Sequence, residues 1–281
     1  MQQLAGRVAV VTGAAGGIGY GIAAALADEG MAVAVADIDG ERAVAAAAML
    51  AGAGRSVVGF SVDVADPGSV ESLRDAVLDR FGQVHLLCNN AGVGRRLELT
   101  DTTPEDWAWV FSVNVFGAVN GMRAFVPVMG GAPGEHHIVN TSSMSGIRVG
   151  VTGHQSIYVG SKFAVVGLSE ALRAELEPLG IGLSILLPGP FTTDMASSSR
   201  RARELQGAEP FPDAPEIPAT SMPQGYLDPM AAGPMVVDAV RRNLPFVVTH
   251  PQSWPQVAAG HQRLADAFAD AARRDQELAG G

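Results

Sequence analysis

The stretch VVTGAAGGIGYG, residues 10–21, joins a Val-rich apolar run to a segment with helical spacing. Glycines in such a turn let backbone N–H groups approach a phosphate closely, and the N-terminus of a helix favours negative charge. The spacing matches neither GxGxxG nor the Gly-Lys-Ser/Thr ending of a P-loop. By itself the stretch therefore leaves two interpretations open: a pyrophosphate-binding turn, or a glycine turn required only for packing.

Outward from this turn, short apolar runs alternate with longer segments of helical spacing up to about residue 190. The apolar runs cover residues 7–11, 32–37, 57–63, 84–89, 137–142 and 182–189. The helical segments begin near Gly17, Asp39, Asp66, Thr103 and Ser156. Strands that are apolar on both faces and alternate with helices predict an α/β fold. We expect a Rossmann-type, doubly wound parallel sheet of about seven strands, with helices on both faces.

The domain organisation predicted for residues 1–281 is a single Rossmann-fold domain. A segment at about 194–232 is rich in Pro, Ser and charge and has no clear period, which predicts a lid or a linker rather than regular structure. Residues 233–249 are typical of one more helix and strand. The tail at about 252–281 has the pattern of an amphipathic helix.

Composition and charge disfavour several function classes. The net charge of −10 disfavours nucleic-acid binding. No apolar run reaches the ~18 residues of a membrane span, so no membrane partner is expected. The single cysteine, Cys88, and the absence of a signal-peptide pattern favour a cytoplasmic protein. Adjacent His136 and His137 would point to opposite faces of a strand, and no metal site is expected.

Residues that follow the strands carry the functional prediction, because parallel sheets bind ligands at the carboxyl ends of their strands. Asp37 ends the second run, about 20 residues after the glycine turn, where dinucleotide sites place an acid for the ribose hydroxyls. Its charge would repel a 2′-phosphate, and Ala14 and Ala15 offer no cation to hold one. The sequence therefore favours NAD over NADP, and Arg42 is the main source of doubt.

Tyr158 and Lys162 stand at positions i and i+4 of a predicted helix, on one face. A tyrosine with its ordinary pKa of about 10 is a poor base near neutral pH. A neighbouring ammonium and the positive ring of an oxidised nicotinamide would both favour the phenolate. Tyr158 is therefore a candidate proton acceptor from an alcohol, although this spacing alone is a weak indication.

These residues, in this order, resemble the short-chain dehydrogenase/reductase family from about residue 7 to residue 195, with a looser similarity over 233–249. The resemblance rests on TGAAGGIG at 12–19, NNAG at 89–92, Asn114 in SVNVFG, Ser143, YVGSK at 158–162 and PGPFTTDM at 188–195. It implies catalytic roles for Asn114, Ser143, Tyr158 and Lys162. It implies NAD contacts for Gly13, Gly17, Ile18, Gly19, Asp37, Asp63, Val64, Asn90, Ala91, Gly92, Tyr158, Lys162, Pro188, Gly189 and Thr193.

The resemblance also implies a separate role for each of these residues. Ser143 would hydrogen-bond the substrate alcohol and Tyr158 would deprotonate it, while Lys162 would lower the pKa of Tyr158 and bind the nicotinamide ribose. Asn114 would hold a water that connects Lys162 to solvent, and Thr193 would hold the carboxamide. The segment between Ser143 and Tyr158 is about two residues longer than the family's commonest spacing, and the adjacent Ser142 is an alternative to Ser143.

The substrate is expected to be a hydrophobic secondary alcohol or its ketone, including aryl-substituted and alicyclic ones. The pocket residues expected from the resemblance are Val93, Met144, Ile147, His154 and Phe191. The segment NGMRAFVPVM at 120–129 and the extended C-terminal tail are similar to those of bacterial dehydrogenases that oxidise aryl-propane alcohols. The helices bearing Asn114 and Tyr158 would form the interface of a homodimer or homotetramer.

Three alternatives can be compared with the sequence. An NADP(H)-preferring carbonyl reductase would share the same active-site residues. A halohydrin dehalogenase would have lost the cofactor glycines and would carry Arg in place of Lys162, and neither change is present. A non-catalytic dinucleotide-binding regulator would have lost part of the Asn, Ser, Tyr and Lys set, which is complete here.

Overall fold

A computed structural model describes residues 1–148, 150, 154–209 and 225–279 of the chain. The described strands form one seven-stranded sheet in the order β3-β2-β1-β4-β5-β6-β7, in which every neighbouring pair is parallel. The strands are β1 Val8–Thr12, β2 Ala32–Asp37, β3 Val57–Ser61, β4 Leu86–Asn89, β5 His136–Thr141, β6 Ile181–Leu187 and β7 Phe246–Val248. The predicted fold class is confirmed.

Helices cover both faces of this sheet. They are α1 Gly17–Asp28, α2 Gly40–Leu50, α3 Pro67–Phe81, α4 Pro104–Phe111, α5 Gly117–Gly130, α6 Ser156–Leu176, α7 Met195–Leu205, α8 Ala232–Arg242 and α9 Trp254–Ala279. A π-helical turn, Ser112–Phe116, joins α4 to α5. The side chains of Asp39, Asp66 and Thr103 cap α2, α3 and α4 by accepting backbone N–H groups, so these predicted helix starts are confirmed.

The hydrophobic core has one layer on each face of the sheet, and the side chains of β1 contribute to both layers. All five residues of β1 are buried. Ala9 and Val11 pack into the layer that contains α1 and α8, whereas Val8 and Val10 pack into the layer that contains α3 and α5. Because successive side chains of a strand point to opposite faces, such a strand is apolar throughout.

The segment after β6 differs from the expectation of an irregular stretch. Residues Met195–Leu205 form the helix α7, and a short turn at Pro229–Ala231 leads into α8. Of the predicted lid, residues 210–224 lie outside the described residues. Polar contacts to distant parts of the chain hold α7, together with the packing of Ala202 against the core.

The strand order reverses between β1 and β4, which both lie in the middle of the sheet. In open parallel sheets this switch point leaves a crevice at the carboxyl ends of the strands. The glycine turn and the residues after β4 meet there. Among the described helices, none is both long and apolar enough to cross a membrane.

Candidate active site

The glycine turn is closed tightly against the loop that follows β4. Gly13 has a φ of +64°, and a Cβ there would lie 2.7 Å from the Cα of Ala91. A Cβ on Gly19 would lie 2.2 Å from the carbonyl oxygen of Gly13. No side chain caps α1 at its N-cap, Gly16. The first N–H groups of α1 therefore remain as donors for a phosphate at the cleft.

Asn90 and Thr12 tie the two halves of this crevice together. The Asn90 side chain donates to the carbonyl oxygens of Thr12, at 3.0 Å, and Gly13, at 3.2 Å. The Thr12 hydroxyl accepts from the N–H groups of Asn90 and Ala91 in return. Asn90, Ala91 and Gly92 all line the cleft. Asn90 thus has a structural role that fixes the turn on which a cofactor would lie.

Asp37 ends β2, whereas Ser143 follows β5, which lies three positions further along the sheet. Its carboxylate accepts the backbone N–H groups of Ala15 and Asp39, both at 3.1 Å. Burial raises the pKa of Asp37, and these two hydrogen bonds and the charge of Arg42 act in the opposite direction. Arg42 lines the same part of the cleft. Asp37, the acid predicted to bind the ribose, and Arg42, the cation that opposes the preference for NAD, are therefore neighbours.

Other residues predicted to contact the cofactor also line this cleft. They are Gly17, Ile18, Asp63, Val64, Pro188, Gly189 and Thr193. A Cβ on Gly17, which has a φ of +55°, would lie 3.4 Å from Cγ2 of Thr193. The glycine turn and the loop after β6 thus approach each other across the cleft.

Ser143, Tyr158 and Lys162 come together at one end of the cleft. The Ser143 hydroxyl lies near enough to Tyr158 to act on its pKa, and it donates to the carbonyl oxygen of Pro188 at 3.4 Å. Lys162 donates from Nζ to the carbonyl oxygen of Thr141 at 3.0 Å. Ser142, the alternative serine, is buried and donates instead to the carbonyl oxygen of Lys162 at 2.7 Å. The geometry therefore favours Ser143 as the serine that faces Tyr158.

The pKa values of this pair differ from the expectation. Burial raises the pKa of Tyr158, and the Ser143 hydroxyl only partly opposes it. Burial also lowers the pKa of Lys162 to about 8. Both side chains lose hydration, and Nζ of Lys162 lies 5.6 Å from the centre of the Tyr158 ring. The expected lowering of the Tyr158 pKa by Lys162 does not outweigh this burial.

Asn114 lies behind the cleft, in the π-helical turn. Its Oδ1 accepts from the N–H of Val93 at 2.8 Å. Its Nδ2 donates to the carbonyl oxygen of Val93 at 3.0 Å and to the hydroxyl of Ser161 at 2.9 Å. The side chain thus fixes the loop after β4 and links it to α6. The predicted role in holding a water stays a prediction.

The predicted substrate-pocket residues divide into two groups. Val93 and Phe191 line the cleft. Met144 and Ile147 do not line it, because they pack with Ile185, Leu187 and Val257 beneath the start of α9. His154 is also absent from the cleft wall: its side chain is 61% exposed, and Nδ1 lies 3.9 Å from Glu98. The assignment of all five residues to the substrate pocket stays a prediction.

The sequence reasoning missed one whole wall of the cleft. Met195, Ser198, Arg201, Ala202 and Gln206, on α7 and its C-cap, line it. Positions 195, 198, 202 and 206 recur at helical spacing, which was the available indication. Because these side chains are partly polar and partly apolar, the helical spacing was not evident from hydrophobicity alone. In the described part of the chain, no group of three or more metal-binding side chains is placed to hold an ion.

Comparisons with known proteins agree with this geometry. The family model of short chain dehydrogenases matches residues 7–204. The chain is 31% identical to a C alpha-dehydrogenase of Sphingobium sp. over 274 residues, which cover 96% of this chain and 88% of that protein. It is 37% identical to a 1-deoxy-11-beta-hydroxypentalenate dehydrogenase of Streptomyces exfoliatus over 203 residues, 72% of this chain and 73% of that one.

A solved structure is similar over most of the chain. The crystal structure of a short chain dehydrogenase/reductase from Burkholderia phymatum in complex with NAD superposes with a TM-score of 0.83 at 34% identity. The match covers 94% of this chain and 96% of that one.

Proposed function

The chain belongs to the short-chain dehydrogenase family of oxidoreductases, and on that premise we propose that it is an NAD-dependent alcohol dehydrogenase or ketone reductase. The substrate would be a hydrophobic secondary alcohol, aryl or alicyclic ones included, or the corresponding ketone. One observation carries the proposal: a single cleft is lined by Tyr158, Ser143 and Lys162 beside β5 and by Asp37 at the end of β2, three positions away in the sheet. A nicotinamide dinucleotide would need both groups of residues, one for each half of the molecule.

The residues of the cleft fit a nicotinamide dinucleotide by the chemistry of their donors and acceptors. The uncapped N–H groups at the start of α1 would bind the pyrophosphate. Asp37 would accept the adenosine ribose hydroxyls, and Lys162 would donate to the nicotinamide ribose. When bound, NAD⁺ supplies the hydride acceptor and a positive charge on its nicotinamide ring.

Within this assignment, each side chain has a defined task. Ser143, whose hydroxyl acts on the pKa of Tyr158, would orient the substrate oxygen. Tyr158 would take the hydroxyl proton during oxidation and return it during reduction. Asn114 fixes the Val93 loop through two hydrogen bonds and links it to Ser161 of α6 through a third, which keeps the cleft wall in place. Buried Val93 and Phe191 would exclude water from the reacting end.

The preference for NAD over NADP rests on Asp37. Its carboxylate faces the cleft beside Ala15, and a second acid, Asp39, lies two residues further on. Two carboxylates would oppose a 2′-phosphate, whereas Arg42 and Arg201 also line the cleft and Arg201 is already paired with Asp39. The structural relative from Burkholderia phymatum was solved with NAD, which supports the same choice.

The substrate class rests on the cleft wall near Tyr158. Val93, Phe191 and Met195 are apolar and line this region. The name of the Streptomyces relative denotes a hydroxylated substrate, which supports an alcohol or ketone. These observations favour a hydrophobic secondary alcohol over a polyhydroxylated one, because hydroxyl groups buried there would lack partners.

A turnover assay across a panel of secondary alcohols tests the proposal. NADH formation with apolar cyclic and aryl alcohols, and slower turnover with polyols, is expected. A non-catalytic regulator would bind NAD⁺ but form no NADH with any alcohol.

We further propose that the chain assembles as a homodimer or homotetramer through the faces of α5 and α6. Phe116, at the start of α5, is 57% exposed, and Phe163, on α6, is 43% exposed. Large apolar side chains at such positions are typical of subunit contacts. Light scattering on the purified protein measures the assembly directly, and a monomer at micromolar concentration would contradict this proposal.

A further inference from the structure

Helix α7 runs along the open side of the cleft from one end to the other. Met195, Ser198, Ala202 and Gln206 recur at helical spacing, and with Arg201 they line the cleft. A helix of 11 residues spans about 16 Å. This length lets one rigid element contact both the reacting end and the adenosine end of the proposed site.

The N-terminal half of α7 is fixed at the reacting end. The buried hydroxyl of Ser199 accepts from the N–H of Gly94 at 3.0 Å. Met195 packs at the same place, since a Cβ on Gly94 would lie 3.2 Å from Sδ of Met195 and 4.0 Å from Cδ2 of Tyr158. The first turn of α7 therefore lies over the wall next to Tyr158.

The C-terminal half of α7 is fixed at the adenosine end. Nε2 of Gln206 donates to both oxygens of Asp63, at 3.0 and 2.9 Å. Oε1 of Gln206 accepts from Nε1 of Trp109 at 2.8 Å, which sets the orientation of the amide. Gln206 thus bridges α4 to the loop after β3, beside the apolar side chains of Val62, Val64 and Val113.

A second contact ties the same half of α7 to the start of α2. Nε of Arg201 lies 3.0 Å from Oδ2 of Asp39, a side chain that is only 6% exposed. Burial alone would raise the pKa of Asp39, but the N–H of Arg42 and the guanidinium of Arg201 outweigh it and hold that pKa below its usual value. The ion pair therefore connects α7 to the loop that carries Asp37.

We infer that Gln206 is a positioning residue for adenine-nucleotide binding, and that α7 transmits binding at the adenosine end to the wall beside Tyr158. This rests on the proposed function, because it assumes that Asp37 and Asp63 face the adenosine half of NAD. Gln206 holds the Asp63 carboxylate in place and closes the pocket around the purine ring. A ligand that fills only this pocket then stabilises the whole helix, including its first turn.

ADP is the probe, since it carries the adenosine half of the cofactor and no nicotinamide. Calorimetry is expected to show that Gln206→Ala weakens ADP binding about tenfold, because the Asp63 carboxylate loses the two hydrogen bonds that hold it in place. Nicotinamide mononucleotide, which lacks adenine, is expected to bind both proteins equally. Gln262→Ala, in which an exposed glutamine of α9 loses its contact to Asp266, is the matched control and keeps wild-type affinity for ADP.

Hydrogen exchange measures the coupling without any turnover. ADP alone is expected to slow exchange of the amides in residues 195–200 of the wild-type protein, at the far end of α7 from Gln206. The slowing is expected to disappear in Gln206→Ala. It is expected to shrink in Arg201→Gln, a substitution at a half-exposed side chain that keeps the fold.

The outcomes separate this inference from the proposed function. Equal ADP affinity in wild type and Gln206→Ala, or ADP binding that leaves residues 195–200 unprotected, overturns the role of Gln206 and α7. Binding of NAD⁺ without any binding of ADP overturns it as well. A wild-type protein that binds neither NAD⁺ nor NADP⁺ overturns the proposed function itself.

Discussion

Nζ of Lys162 lies 5.6 Å from the centre of the Tyr158 ring and donates its hydrogen bond to the carbonyl oxygen of Thr141 instead. Lys162 is buried and Tyr158 is half-buried in the cleft wall, and this loss of hydration raises the pKa of Tyr158 and lowers the pKa of Lys162 to about 8. The pair alone therefore does not hold a phenolate. Under the proposed mechanism, the positive charge of bound NAD⁺ completes the electrostatic arrangement.

The ionisation of Tyr158 is expected to depend on the cofactor. In the cofactor-free protein the phenolate forms only above the usual value of 10.0, because burial opposes the charged form. Bound NAD⁺ is expected to lower that pKa. The chain has three tyrosines, so difference absorbance between wild type and Tyr158→Phe isolates this one. A Tyr158 phenolate below the usual value without cofactor would contradict the burial argument.

Asp37→Ser is expected to change the choice of cofactor. Removing the carboxylate takes away the acceptor for the ribose hydroxyls and the charge that opposes a 2′-phosphate. Affinity for NAD⁺ should fall about tenfold and affinity for NADP⁺ should rise. Calorimetry with both cofactors measures the change, with Asp75→Ser on the exposed face of α3 as the control. Tighter binding of NADP⁺ than NAD⁺ by the wild-type protein would show that the assignment of Asp37 is wrong.

The buried histidines at the other end of the sheet are expected to make stability fall in acid. Burial lowers the pKa of His85 to about 4 and that of His137 to about 3, against an ordinary value of 6.5. Between these values the unfolded chain binds more protons than the folded one, so protonation favours unfolding. The free energy of unfolding should drop as pH falls below 6.5, by up to about 1.4 kcal/mol per pH unit for each histidine.

Urea titrations between neutral pH and pH 5 check this slope. His85→Gln should flatten it, whereas His261→Gln, on the exposed face of α9, should leave it as in the wild type. A free energy of unfolding that stays constant across this range would contradict burial of the neutral imidazoles.

Two glycine substitutions are expected to act in opposite directions. A Cβ on Gly59 of β3 would lie 2.5 Å from the backbone nitrogen of Val44 in α2, so Gly59→Ala should destabilise the fold by about 1–3 kcal/mol. Gly167, inside α6, has no atom within 4 Å of such a Cβ. Gly167→Ala should therefore stabilise the fold by roughly 0.5–1 kcal/mol. Chemical denaturation of both variants measures the difference, and a shift of the same sign in both would contradict this packing.

Much of the fold was predictable because its causes are local in the chain. The apolar runs became the strands of the sheet, and Asp66 followed by Pro67 begins α3 as the capping pattern predicts. The glycine turn, Asp37 and Tyr158 lie in one cleft because the ends of parallel strands share one edge.

What the sequence did not reveal depends on distant contacts. Helix α7 is held by Asp39, Asp63 and Gly94, which lie more than a hundred residues away along the chain. Met144 follows Ser143 directly, yet it packs beneath α9, because α9 buries that side of the loop. His154 has a φ of +57°, and its side chain is mostly exposed to solvent. The spacing of residues along the chain does not reveal which distant segments pack together or which side chains remain exposed.

The most direct test of the central claim is NADH formation from a secondary alcohol by the wild-type protein and by Tyr158→Phe, at equal occupancy of NAD⁺. We predict turnover by the wild type and a loss of at least about a hundredfold in Tyr158→Phe, the usual contribution of a general base, with NAD⁺ affinity nearly unchanged. Turnover by Tyr158→Phe at the wild-type rate would contradict the account.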